Sequence, residues 1–592
     1  MIAHPFSPRA PHGWARPAAL VLLLLLALAG CRDPDDARSA QAAGDGEGAT
    51  PERGGVAVLA EHIDINQPMP LVFESNMDGD LQDVLYMALT RGVWRDGRLV
   101  YLLADESPMA LAERYEYAGP DSAALVYHLR GDVRWSDGQP ITAHDVVWTY
   151  QAVRDPRTAS PRQDYVEHID SVVARDDSTV VFHFAHRYPE MLSHSGLGIA
   201  PRHVYQDADL AQIRSHPTLV NPDQGRLVVS GPFQIGRWDQ GQQMVLVPNP
   251  HFRPQPHLDQ IVIRVIPEAT TRLVELQTGA VDLVRPVPHD QIPTLQAQGE
   301  RIRLEREEKR QYEFIAYNPA AFAPFADAEV RRALGLALDV PGILRALQMQ
   351  DYALPAAGPY PPIFRDLYDP ERMRPLPHDT ARARQILAAK GWRDSDGDGV
   401  LDKDGRPFRF TLLTSAANPR RADVSQIAQQ QWKRLGIDAR LQQLEFNTFF
   451  ERLVGREYQA ALGGWAVGLS PDLTELWGED SPFNIVDYRN PEVSALFRQA
   501  LAQPTEEAAN RYWQAAAARL VQDQPYTWLY YLDQVDAVSN RLRGIKIDTY
   551  GAYQNTWEWW IPEALQRGTP TRAGAAPADS PPSAAASGDT AR

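Results

Sequence analysis

Three observations on this 592-residue chain predict an α/β or α+β fold. Alternating apolar segments such as Ala124–Leu129 and Ile261–Ile266 have the two-residue period of half-buried strands. Between such segments lie stretches with helical spacing. Val330, Ala333, Leu334, Ala337, Leu338 and, beyond Pro341, Leu344 and Leu347 trace one apolar face, with Asp327 placed to cap its start. A second helix is expected over Asp423–Leu435, where Ile427, Gln431 and Leu435 recur every fourth residue and Gly436 stands as the stop. Thirdly, strands and helices mix along the whole length with no repeat of fixed period, which argues against a solenoid.

The elements follow in chain order from an exported start. Residues 1–30 hold two basic side chains, Arg9 and Arg16, then an apolar block from Ala18 to Ala29, and no acids. This is the layout of a secretory signal peptide, and the block is shorter than the ~20 residues that cross a bilayer. It ends in Leu28-Ala29-Gly30-Cys31, which resembles the bacterial lipobox, and Cys31 is the sole cysteine. Lipidation of Cys31 would hold the protein at a membrane by its terminus alone, and with one cysteine no internal disulfide forms. Residues 31–55, rich in Asp, Ala and Gly, read as a flexible tether. From about residue 567 to 592 the chain turns to Ala, Pro, Ser and Gly and is expected to be a disordered tail. The formal charge of −17 supports solubility and disfavours a nucleic-acid partner, which needs a basic stripe.

Val133-Arg134-Trp135-Ser136-Asp137-Gly138-Gln139-Pro140-Ile141-Thr142-Ala143-His144-Asp145 joins a strand, an Asp-Gly turn and a helix start, with Thr142 and Asp145 spaced as a capping box. This run resembles the signature of the family 5 extracellular solute-binding proteins. Further landmarks are similar, in the family's order: Ser230-Gly231-Pro232-Phe233 with Trp238 and Asn249-Pro250, Phe325-Ala326-Asp327 leading into Val330–Leu334, and Gln431-Trp432-Lys433-Arg434-Leu435-Gly436-Ile437. The likeness spans about Val56 to Pro562.

The resemblance implies a two-lobed, periplasmic binding protein-like fold, type II and cluster C-like, with the ligand in the cleft between lobes. Residues 56–300 would begin lobe I, 301–533 form lobe II, and 534–566 return to lobe I, with crossings near Arg301–Gln311 and Pro525–Asp533. It also implies a peptide or other small organic ligand, delivery to an ABC permease and its ATPase, a periplasmic or cell-envelope location, a monomer, and no cofactor. Hinge closure would trap the ligand.

Candidate ligand contacts follow from the same resemblance. Gly463-Gly464-Trp465 and the run to Asp472 match the stretch that lines the family's cleft, where an aromatic wall and close backbone approach suit a ligand. In peptide-binding members an Asp three residues after the Trp pairs with the ligand's α-ammonium group. Here that position is Gly468, so the contact is lost unless Asp472 supplies it. Core packing stays open as the alternative for Trp465. For Trp477, Tyr317 and Asn318 packing or turn chemistry is the favoured reading.

Other patterns look chemical. Asp394, Asp396, Asp398 and Asp402 occupy positions one, three, five and nine of a calcium-loop pattern, but Gly405 stands where the closing Glu belongs, and a surface hairpin is the stronger reading. His183 and His186, with His194 further on, have metal-like spacing, but His183 alternates with Phe182 and Phe184 and is expected on a solvated strand face. No metalloprotease helix, serine-hydrolase elbow, phosphate loop or dinucleotide fingerprint occurs. The expectation is a binding protein, with a secreted hydrolase of peptides or glycans and a non-transport chaperone or sensor as its rivals.

Overall fold

The computed structural model describes residues 50–567 apart from Glu74. The expected leader, Cys31, most of the tether and the tail beyond residue 567 lie outside the described residues.

Two large mixed sheets organise the chain. The seven-stranded sheet runs, edge to edge, Ile302–Glu307, Gln534–Ser539, Leu283–Val284, Val56–Glu61, Gln260–Val265, Gln243–Pro248 and Phe233–Asp239. Val56–Glu61 pairs in parallel with Gln260–Val265 from Val56↔Gln260 onward. The six-stranded sheet runs Ala353–Pro355, Tyr526–Leu532, Gln311–Tyr317, Ala460–Ala466, Arg409–Ser415 and Asp438–Leu444. A four-stranded antiparallel sheet carries Ala112–Ala118, Ala124–Leu129, Thr179–Phe184 and Ile169–Ala174. One core, centred on residues such as Trp135 and Trp559, packs on the first large sheet and the four-stranded one. Two further cores, holding Trp432 and Trp513 respectively, fill the region of the six-stranded sheet.

The chain passes between the two large sheets twice, and both passages are short. Glu308-Lys309-Arg310 separates the strand Ile302–Glu307 from Gln311–Tyr317, and Asp533 alone separates Tyr526–Leu532 from Gln534–Ser539. The passages lie side by side, because Arg306 pairs with Asp533 at 2.5 Å and the Lys309 N–H donates to the same carboxylate at 3.4 Å. This is the hinge geometry of a two-lobed fold.

Local signals set the supporting helices. The helix Ala143–Arg154 begins as its capping box requires: the Thr142 N–H donates to the Asp145 carboxylate at 2.8 Å, and the other oxygen of Asp145 accepts from the Arg202 N–H at 2.9 Å. The single helix expected over Val330–Leu347 is two helices, Ala328–Leu336 and Val340–Ala346. Pro341 has no N–H to continue the first helix. Asp339 leaves helical geometry and caps the second by accepting from the Gly342 N–H at 2.9 Å. Asp327 caps the first, as expected, accepting from the Glu329 N–H at 3.0 Å. The helix expected from Asp423 starts earlier, at Pro419, because Asn418 accepts from the Arg421 N–H at 3.1 Å and proline suits a first helical position. It ends at Lys433, and Gly436 follows at φ +80°.

His183 is exposed between the buried Phe182 and Phe184, so its strand alternates as expected. His194 is packed elsewhere, with its Nδ1 2.7 Å from the Tyr188 hydroxyl, and burial lowers its pKa to about 4. Asp394, Asp396 and Asp398 gather in one exposed loop, where their carboxylates accept from the loop's own N–H groups, such as Gly397 at 2.7 Å and Val400 at 2.7 Å. Asp402 stands apart from that trio and accepts from the Ser395 N–H at 2.8 Å. Among the described residues no helix is long and apolar enough to cross a membrane.

Candidate functional site

The cleft is built first by a short helix. Asn76–Leu85 is capped by Ser75, whose hydroxyl accepts from the Asp78 N–H at 3.1 Å. Its far end is pressed against the Ser230-Gly231 segment: the Ser230 hydroxyl accepts from the Met87 N–H at 2.8 Å, and a Cβ on Gly231 would fall 2.0 Å from the Val84 carbonyl oxygen. Only glycine permits that approach. The helix thereby carries Asp80 and Asp83, three residues apart on one face, to the cavity walls.

Two cavities share Gly79, Arg162 and Tyr550 and so form one continuous site. The smaller, about 230 Å³, lies between the Asn76–Leu85 helix, Arg91 and Gly92 of a β-hairpin, the 193–198 segment and Leu469. The larger, about 610 Å³, is lined by Glu61, Asp80 and Arg285 on one side and by Arg310, Ala466 and Val467 on the other. Strands of both large sheets, and the first passage between them, thus meet at one void, the setting in which a small solute is enclosed.

Charge in this site is arranged in networks. Arg285 is buried and donates from Nε to Asp536 at 2.9 Å, from Nη2 to Glu307 at 3.3 Å and from Nη1 to Asp80 at 3.4 Å. Lys309 also pairs with Glu307, and the Tyr553 hydroxyl donates to Glu61 at 2.7 Å. Arg91 pairs with Asp83 at 3.1 Å, and the Gln554 amide donates to the other Asp83 oxygen at 2.7 Å. Burial raises the pKa of Asp80 to about 7, ahead of the opposing pull of Arg285, and burial likewise raises Glu61.

A pH dependence follows. The folded chain keeps the Asp80 proton up to about pH 7, whereas an unfolded Asp releases it near ~4. Between those values the native state binds the extra proton, so stability falls as pH rises. Asp80→Asn is expected to flatten that part of the profile, read as the difference in thermal midpoint between pH 5 and pH 8. An unchanged slope in the variant would refute the assignment.

The residues expected from sequence are dispersed. Trp465 is half-buried, stacked on Phe314 at 6.0 Å with its Nε1 3.3 Å from the Tyr526 hydroxyl. It is its successors Ala466, Val467 and Leu469 that line the cavities. Gly464 sits against the buried Glu313, which is held by Arg420 at 2.8 Å and Arg421 at 2.7 Å, and a Cβ there would lie 2.5 Å from Arg421 Nη2. Trp477 is fully buried, 4.6 Å from the Tyr526 ring, so the structure brings it into the same aromatic cluster as Trp465. Tyr317 is buried with its hydroxyl 2.9 Å from that of Thr527. Asn318 donates to the Arg456 carbonyl at 2.7 Å and accepts from the Ala320 N–H at 3.0 Å, which is turn chemistry. Asp472 is half-buried, accepts from the Thr474 N–H at 2.7 Å, and has its pKa raised by burial. Beside it the Ser470 hydroxyl donates to Glu190 at 2.8 Å, linking the Trp465 loop to the opposite wall.

Sequence reasoning missed Asp80, Asp83, Arg91, Arg162, Arg285, Arg310 and Tyr550. One signal was available for part of this set: the charge-dense Glu305–Arg310 run coincides with the expected first crossing.

The family model described as bacterial extracellular solute-binding proteins, family 5, matches residues 108–485. The oligopeptide-binding protein AppA of Bacillus subtilis is 26% identical over 560 residues, covering 92% of this chain and 98% of that protein. Its structure with a nonapeptide superposes with a TM-score of 0.69, covering 87% of this chain and 100% of that one. NikZ of Campylobacter jejuni, solved with Ni(L-His), has the same fold at 22% identity and a TM-score of 0.68, covering 85% and 99% of the two chains.

Proposed function

Because this chain belongs to the family 5 bacterial extracellular solute-binding proteins, we propose that it is the lipid-anchored receptor of an ABC importer, taking a peptide or other small organic solute into its cleft and passing it to a membrane permease. Members of this family act outside the cytoplasm and bind rather than catalyse, so the chain is a binding protein and not an enzyme. The observation that carries the finer reading is the continuous cavity lined by both sheets and by the passage Glu308–Arg310 between them. A solute there touches both sides of a hinge, and only a ligand that favours the closed arrangement shifts the equilibrium toward it. The lobe boundaries belong to this proposal: the exchange between sheets at Asp533 supports the one at 533/534, whereas the first is better placed at Glu308–Arg310 than at 300/301, because Ile302–Glu307 still pairs within the seven-stranded sheet. The nonapeptide held by AppA favours a peptide. Gly468, where the resemblance expects an anchoring Asp, favours a different mode of holding it. Anchoring through Cys31 and a monomeric receptor complete the proposal.

Native mass spectrometry after incubation with a pool of short peptides tests the reading. One intact ligand per chain is expected, unaltered on prolonged incubation; cleaved products would make the protein a hydrolase. In cells, Cys31→Ser is expected to move the protein from the membrane to the soluble fraction with an unchanged thermal midpoint. Continued membrane association of that variant would remove the anchor from the proposal.

A further inference from the structure

Resting on the solute-binding reading above, we infer that Arg162 and Arg310 form an anion cradle in the cleft and that the transported solute carries a carboxylate seated on it. The other cations lining the two cavities already have carboxylate partners: Arg91 has Asp83 at 3.1 Å, Arg285 has Asp536 at 2.9 Å, and Lys309 has Glu307. Arg162 and Arg310 do not. Arg310 donates from Nε to the Thr549 hydroxyl at 3.1 Å and from Nη1 to the Val467 carbonyl at 2.8 Å. Arg162 donates to the Tyr165 hydroxyl at 2.9 Å and lies over the Phe73 and Tyr165 rings at 4.6 and 4.9 Å. Among the described residues neither guanidinium has a carboxylate within ion-pair distance, and Arg310 feels Glu307 and Asp548 only from further away.

Both arginines line the larger cavity, and Arg162 also lines the smaller. A half-buried guanidinium without a counter-charge is costly, and a carboxylate delivered by the solute relieves that cost with charge-assisted hydrogen bonds. The carboxylates that share the cavities do not compete for this place, because Asp83 is committed to Arg91 and Gln554, Asp80 faces Arg285, and Glu61 accepts from Tyr553. Arg310 has a second consequence. It sits in the passage between the sheets, and its two partners come from opposite sides, Val467 after a strand of the six-stranded sheet and Thr549 after the return strand. The guanidinium is therefore fully placed only when the two sides are together, so an anion on it favours the closed form.

Three probe pools decide the matter: free-acid tripeptides to octapeptides built from Ala, Gly, Val, Leu, Phe and Ser, the same pool as C-terminal amides, and a pool of small non-peptide carboxylic acids. The expected result is retention of free-acid peptides at least tenfold above the amides, with Arg310→Gln and Arg162→Gln each losing at least tenfold in affinity at an unchanged thermal midpoint. Retention of the non-peptide acids alone, with the same loss in the variants, supports the cradle and replaces the peptide by another carboxylate source. Equal retention of acids and amides by the wild-type protein overturns the cradle and leaves solute binding standing, a comparison that needs no variant to fold. Retention of none of the three pools overturns both.

Discussion

Arg285→Met is expected to destabilise the folded chain by about 3–5 kcal/mol, the range for removing one partner of a buried ionic network. Glu307 and Asp536 are fully buried beneath Arg285, and Asp80 is its third partner. Deleting the guanidinium strands these carboxylates, with Lys309 left as the one cation on Glu307. Burial already raises the pKa of Glu307 and Asp80, so without Arg285 they hold protons more tightly still. The deficit should therefore be smaller at pH 5 than at pH 8. Denaturant midpoints at the two pH values measure it, with the slope checked for constancy. A shift under 1 kcal/mol at pH 8 would mean the network contributes little. The placement matters as much as the size, because Glu307 ends the strand that leaves the first sheet and Asp536 lies on the strand that returns to it. The network thus ties the two passages of the hinge to the cleft floor.

What the sequence made legible was local, and what it concealed was distant. Thr142 and Asp145 are three residues apart, so their capping box is written in the chain, and the same holds for Asp327. Pro341 was visible too, yet the apolar face continuing beyond it favoured one helix over two; the backbone of Asp339 settled that. The cleft is another matter. Arg285 meets Asp536 across 251 positions, and Arg310 meets Thr549 across 239. No periodicity or spacing reports such pairs, because they depend on strand order in a sheet. The resemblance pointed to the loop at Trp465, where strand alternation turns the indole toward Phe314 and Tyr526 and the backbone beyond it meets the cavity. The family's landmark Ser230-Gly231 acts through packing, by holding the end of the helix that bears Asp80 and Asp83.

The other large effect is expected at a glycine far from any proposed ligand contact. Arg91–Arg95 and Arg98–Leu102 form a hairpin whose turn residues, Asp96 and Gly97, both have positive φ, 52° and 82°. Its base lines the smaller cavity through Arg91 and Gly92, while its tip rests on a segment near the six-stranded sheet. Trp94 meets Phe364 edge-on at 5.4 Å, and Arg98 pairs with Asp366 at 2.5 Å. A Cβ on Gly97 would lie 1.9 Å from Cγ of Arg365, so any side chain must push the tip away. Losing an aromatic pair of about 0.5–1.5 kcal/mol across the cleft predicts that Gly97→Val weakens solute affinity about tenfold, while the backbone strain of a side chain at φ 82°, about 1–3 kcal/mol, is present with and without solute and lowers the thermal midpoint of both forms. The effect should fall on dissociation, because the hairpin spans the cleft mouth only when the lobes are together. Trp94→Ala should move in the same direction by a smaller factor. Dissociation rates from a competition experiment distinguish this from general damage: release should quicken in Trp94→Ala too, which adds no backbone strain. Unchanged release in both variants would show that the hairpin rests on the opposite lobe without helping to hold it.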